Sequence, residues 1–186
     1  ELFGVSRGGY LMQAMIGVWK SSLPCLKKNV ALILGDNFFY GQYLTQKLKS
    51  CVKLKSGAKI LLHKVAKPEA YGVAKIDKKN KVIGIKEKPK KFFSDLAITG
   101  LYFFDKKVSE YAKKLKPSKR GELEITDLIK KYQSLRQLKA DYIGRGGAWL
   151  DTGSIDDFYK TSSFVSAIEN RQGFKIACLE EIALNN

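Results

Sequence analysis

Five consecutive apolar residues, Val30-Ala31-Leu32-Ile33-Leu34, run without a polar interruption into Gly35 and Asp36. A strand with one wet face alternates polar and apolar side chains. A strand covered on both faces has no such need, and it is typical of the parallel sheet of an α/β protein. The run therefore asks for a sheet with helices on both sides. It also delivers a carboxylate, Asp36, and an amide, Asn37, to the strand's carboxyl end.

The rest of the chain fits that demand. Ala58 to Val65 reads as a second strand; it carries the only histidine, His63, expected to be half-buried, structural and without a nearby partner. Val73 to Ile76 and Val82 to Ile85, joined by Asp77-Lys78-Lys79-Asn80-Lys81, predict a β-hairpin leading into Glu87-Lys88-Pro89. Leu96 to Phe104 is a strong strand, and its interior Gly100 marks the close approach of another backbone or a ligand. Helical spacing covers Leu11 to Lys20, Gln42 to about Val52, a stretch capped by Asp105 and stopped at Pro117, Leu123 to about Tyr132, and Ile155 to about Asn170. A short strand near Asp141 to Ile143 precedes the glycine-rich stretch Gly144 to Ser154. With no repeat or low-complexity tract, strands alternating with helices predict one α/β domain over residues 1–186.

Composition narrows the partners. The net charge is +16, yet only Arg7, Arg120, Arg136, Arg145 and Arg171 are arginines, so lysine dominates the basic residues. Nucleic-acid surfaces favour arginine with aromatic neighbours in one patch. Lysine spread along every exposed-looking segment reads as a solvated surface that suits anionic substrates, with salt-sensitive attraction to polyanions and no specific nucleic-acid site. No apolar run is long enough to cross a membrane. Cys25, Cys51 and Cys178 are far apart and form no metal-binding spacing, which predicts free thiols, a reducing cytoplasmic compartment and no zinc.

Two carboxylates follow apolar strands: Asp36 in Gly-Asp-Asn and Asp151 in Trp149-Leu150-Asp151-Thr152-Gly153. If their strands are neighbours, the pair can hold one Mg²⁺ against nucleotide phosphates. Ser154 and Asp157 have capping-box spacing, so a helix opens directly behind Asp151. Glu87-Lys88 offers an acceptor for sugar hydroxyls and a cation for phosphate. Taken singly each feature also fits a bland reading: a strand-turn-helix connection, or the end of a hairpin.

In order along the chain they form a specific series: Gly35-Asp36-Asn37-Phe38-Phe39-Tyr40-Gly41, Tyr71-Gly72-Val73, Glu87-Lys88-Pro89, Thr99-Gly100-Leu101-Tyr102, Arg120-Gly121-Glu122-Leu123-Glu124-Ile125-Thr126-Asp127, Gly144-Arg145-Gly146 with Trp149 to Gly153, and Arg171-Gln172-Gly173. From about residue 30 to residue 183 this series resembles the glucose-1-phosphate thymidylyltransferases. The resemblance implies a Rossmann-like nucleotidyltransferase fold with a mixed, mainly parallel sheet. It also implies transfer of dTMP from dTTP to glucose 1-phosphate, giving dTDP-glucose and pyrophosphate, with Mg²⁺ as cofactor and a homo-oligomer, a tetramer at full length. Asp36 and Asp151 match the family's metal-binding aspartates and, with Lys88 and the site arginine Arg120, its catalytic residues. Asn37, Tyr71, Gly72, Glu87, Lys88, Ile98, Thr99, Gly100, Tyr102 and Trp149 match the substrate pocket. The family's Gly-x-Gly-Thr-Arg-Leu phosphate loop has no counterpart here, and Gly9-Tyr10-Leu11-Met12-Gln13-Ala14 diverges from its base-reading segment. The chain is therefore expected to be truncated at both ends and inactive alone. Two alternatives stay open: a uridylyltransferase or other sugar-nucleotide pyrophosphorylase, and a non-catalytic module that binds a partner chain or polyanions.

Overall fold

The structure, a computed structural model, describes the backbone of residues 2–5 and all of residues 28–117 and 123–184. The helix expected from Leu11 to Lys20, and Arg120, lie outside the described residues. The chain forms two compact units, Glu1–Trp149 and Leu150–Asn186.

The first unit is built on β7 (Leu96–Phe104), the strand read from sequence with the same bounds. On one side it pairs with β2 (Val30–Leu34), which in turn pairs with β1 (Leu2–Val5). On the other side it pairs with β4 (Ala58–Lys64), followed by β8 (Leu138–Tyr142). The predicted hairpin is β5 (Gly72–Ile76) with β6 (Val82–Glu87), and it joins the sheet where Val73 meets Ala97. The sheet is mixed, as expected, but among the described strands only β1–β2 and β4–β8 are parallel. A continuous apolar run reports that both faces are covered; it does not report the direction of the neighbours. Here β7 runs against both of its flanking strands and tips the balance to antiparallel.

Period-two alternation along β7 feeds two cores. Ile98, Tyr102 and Phe104 join Leu32, Ile60 and Leu62 under α2 (Val108–Lys113) and α3 (Ile125–Ser134), from which Val108, Ala112, Leu128, Ile129 and Tyr132 point inward. Ala97, Leu101 and Phe103 face the other way, with Leu61, Ile143, Trp149 and Cys51 of α1 (Leu44–Val52). Burying a side chain of this size is worth about 1.5–3 kcal/mol, so two such layers anchor β7 firmly. Cys51 and Cys178 are free thiols, as predicted, and burial raises the Cys51 pKa. No helix among the described residues is long and apolar enough to cross a membrane.

Asp105 differs from its expected role as a helix cap. It is buried, and Lys107 is the residue that flanks α2. The Asp105 carboxylate accepts hydrogen bonds from the Gly57 N–H (2.6 Å), the Lys107 N–H (3.0 Å) and the Tyr132 hydroxyl (2.9 Å). It ties β4, α2 and α3 together at the far end of β7.

A strand not foreseen from sequence, β3 (Asn37–Gly41), pairs with β9 (Gly147–Asp151) in a separate two-stranded sheet. The second unit begins within β9 and contains α4 (Ile155–Gln172) and α5 (Leu179–Leu184). The predicted cap is present: the Asp157 N–H donates to the Ser154 hydroxyl at 3.1 Å, and that hydroxyl donates to the Asp157 carboxylate at 2.7 Å. Gly173, in the left-handed region at φ 75°, closes the helix with its N–H on the Glu169 carbonyl.

Candidate active site

The carboxyl ends of β2 and β4 and the first half of antiparallel β7 lie at one edge of the sheet, where α/β proteins place their ligands. Several of the predicted substrate-binding residues come together there. Gly72 sits opposite Glu87 in the β5–β6 ladder. A Cβ at Gly72 would lie 2.8 Å from Glu87 Oε2, so only glycine lets the carboxylate lie across that strand. The same oxygen accepts the Thr126 hydroxyl at 2.8 Å, from the first turn of α3. Tyr71 leads into β5, and its carbonyl accepts the Lys88 N–H at 3.1 Å. Lys88 has φ 37°, an uncommon conformation for a non-glycine residue and a costly one immediately before a proline. Such backbone outliers concentrate at functional sites.

Tyr102 is buried on β7. Burial pushes its pKa up beyond the ordinary phenol range, and the negative charges of Glu87 and Asp36 push the same way. One buried hydroxyl thus feels both carboxylates. Ile98 is buried in the same core as Tyr102. Thr99 is fully buried, and its hydroxyl donates to the Leu61 carbonyl at 3.1 Å.

Asp36 occupies the turn between β2 and β3, and beside it Asn37 is the junction of the site. The Asn37 side-chain oxygen accepts the Gly100 N–H at 3.1 Å and the Trp149 indole N–H at 2.6 Å, while its amide nitrogen donates to Asp36 Oδ1 at 2.7 Å. The close approach that Gly100 predicts is therefore Asn37 itself: a Cβ on Gly100 would lie 2.5 Å from Asn37 Cγ. Trp149 is buried and meets the Tyr71 ring edge-on, with centroids 5.1 Å apart. His63 does have partners: Nδ1 lies 2.8 Å from the Lys64 carbonyl and Nε2 3.3 Å from the Gly147 carbonyl. Asp151 belongs to the second unit, where its Oδ1 accepts the Gly153 N–H at 2.8 Å. Sequence reasoning gave Thr126 no role, although it stands within the Glu-Leu-Glu-Ile-Thr-Asp stretch; its signal is a polar residue on the inward face of an amphipathic helix.

Mg²⁺ takes oxygen donors and is usually held by one or two carboxylates, with substrate phosphates and water completing the shell. Among the described residues no group of three or more His, Cys, Asp or Glu side chains forms a cage of its own. A carboxylate at the strand end, aimed by an amide, fits a cation that arrives with a nucleotide.

The sequence model described as nucleotidyl transferase matches residues 14–167. The chain belongs to that nucleotidyl transferase family. Glucose-1-phosphate thymidylyltransferase of Neisseria meningitidis is 48% identical over 158 residues, covering 85% of this chain and 55% of the relative. That of Mycolicibacterium smegmatis is 46% identical over 154 residues, covering 83% and 53%. The chain thus spans about half the length of these curated relatives. Among solved structures, a protein described as a glucose-1-phosphate thymidylyltransferase of Bacillus anthracis matches with TM-score 0.68 and 34% identity, over 86% of this chain and 61% of that one. A UDP-glucose pyrophosphorylase solved with UDP-glucose shares the fold at TM-score 0.69 and 22% identity, over 86% and 62%.

Proposed function

We propose that this chain carries the sugar-phosphate half of a glucose-1-phosphate thymidylyltransferase, which transfers dTMP from dTTP to glucose 1-phosphate and releases pyrophosphate. The observation that carries the reading is the convergence on Tyr102. The charges of Glu87, shaped by Gly72 and Thr126, and of Asp36, held by Asn37, both reach this one buried hydroxyl. A sugar is recognised by acceptors for its hydroxyls, and its phosphate by a cation beside them. Glu87, Gly72, Gly100 and Tyr102 would face the sugar, with Tyr71 and Trp149 packed beside them and Ile98 and Thr99 supporting from within the core, and Lys88 with Arg120 would hold phosphate.

The reaction needs no covalent enzyme intermediate. A phosphate oxygen of glucose 1-phosphate attacks the α-phosphorus of dTTP in line, and the bond to pyrophosphate breaks. Rate in such transfers comes from positioning and from charge neutralisation. Asp36 would hold the Mg²⁺, which when bound would offset the phosphate charge; Asp151, matched to the family's second metal ligand, lies in the second unit.

The test is ligand-induced stabilisation of the purified chain. dTDP-glucose or glucose 1-phosphate should raise Tm in wild type and not in Glu87→Ala, with UDP-glucose as the competing arm. No shift with any of these ligands contradicts the reading. Pyrophosphate release from dTTP and glucose 1-phosphate with Mg²⁺ then establishes whether the 186-residue chain turns over by itself.

A further inference from the structure

We propose that Asn37 is a positioning residue whose side-chain amide fixes the rotamer of Asp36; its bearing on catalysis rests on the function proposed above. A carboxamide has one oxygen with two lone pairs and one nitrogen with two N–H groups. In Asn37 both lone pairs are used by donors that cannot reverse roles, the Gly100 backbone N–H and the Trp149 indole N–H. The oxygen end is thereby settled without ambiguity, and the nitrogen must face the other way. What it faces is Asp36 Oδ1, at 2.7 Å.

The parts that lock the amide come from elements far apart in sequence. Gly100 is in the middle of β7, where the missing Cβ makes room for the Asn37 side chain. Trp149 is on β9, buried against Tyr71. Asn37 opens β3 directly after the turn that carries Asp36. With Oδ1 held by a donor that is itself held twice, the plane of the Asp36 carboxylate is set by the sheet and not by solvent. Partners of this kind orient metal-binding carboxylates, and removing them typically weakens metal affinity by roughly 10–100-fold.

Two substitutions separate this role from a purely structural one. Asn37→Ala removes all three bonds. Asn37→Asp is nearly isosteric and keeps an acceptor for Gly100 and Trp149, but turns an oxygen toward Asp36 in place of the N–H. The readout is the set of three-bond couplings to Asp36 Cγ in the ¹³C,¹⁵N-labelled chain, with the Trp149 indole N–H signal as a control for local structure. Wild type should show a single Asp36 rotamer. Asn37→Asp should show rotamer averaging with the indole signal in place, and Asn37→Ala averaging with the indole signal shifted. Titration with Mn²⁺ alone, read by broadening of the Asp36 signals, should need roughly 10–100-fold more metal in Asn37→Ala. A single Asp36 rotamer retained in both variants overturns the proposal, as does unchanged Mn²⁺ broadening in Asn37→Ala. If Mn²⁺ never broadens Asp36 in wild type, even with dTTP present, while the couplings average as expected, the metal role proposed for Asp36 fails and the hold on Asp36 stands.

Discussion

Replacing Gly100 with alanine tests the packing around Asn37 without touching Asn37. The new Cβ would lie 2.5 Å from Asn37 Cγ and Nδ2 and 2.7 Å from Oδ1, well inside van der Waals contact. The amide must swing away, and the bonds to Gly100, Trp149 and Asp36 break together. Overpacking a core position costs about 1–3 kcal/mol. Stranding the buried Trp149 indole N–H costs about 1–3 kcal/mol more. Against this, alanine in a strand interior gains about 0.5–1 kcal/mol over glycine. The net loss is about 1–5 kcal/mol. For a chain of this size that lowers Tm by on the order of 2–20 °C. Thermal melts followed by circular dichroism read the loss, and a double-mutant cycle locates it. In Asn37→Ala there is no amide to displace, so adding Gly100→Ala should cost little further. A Gly100→Ala chain as stable as wild type refutes the packing described here, and so does full additivity in the cycle.

Three further outcomes follow from other parts of the fold. Tyr132 has its pKa raised above the ordinary 10.0 by burial first and by its bond to Asp105 second, so its stabilising effect is complete below pH 10 and lost as pH rises. Above that pH the unfolded chain releases the proton while the folded chain keeps it, about 1.4 kcal/mol per pH unit. Tyr132→Phe should therefore flatten the loss of stability measured by urea titration between about pH 10 and 11.5. Ser154→Ala removes the acceptor for the Asp157 N–H and should cost α4 about 1 kcal/mol, read as lost helicity on heating. Thr126→Val frees Glu87 Oε2 and should weaken glucose 1-phosphate binding about tenfold by calorimetry, with little change in Tm.

Sequence patterns carried the scaffold well where one signal sufficed. The apolar runs at Val30–Leu34 and Leu96–Phe104, the hairpin around Asp77 to Lys81, and the Ser154 cap all depend on local chemistry, and each formed where expected. β3 escaped because Asn37–Gly41 shows neither alternation nor an unbroken apolar run, and every residue in it is half-buried. Asp105 reads as a cap because Asp before a helix is usually one; its bonds to Gly57 and Tyr132 come from tertiary contacts that no local pattern encodes. The same holds for His63, whose second partner lies 84 positions away at Gly147, and for the amide that joins Asn37 to Gly100 and Trp149. The motif series named the candidate residues; which of them bond to one another emerged only from the fold.

Titrating Mn²⁺ with dTTP into the chain labelled with ¹³C at the aspartate carboxylates tests the metal role proposed for Asp36 most directly. The expected result is that the Asp36 signal broadens at a lower metal concentration than those of the exposed Asp95 and Asp156. Uniform broadening of all three, or broadening of Asp95 and Asp156 without Asp36, would contradict it.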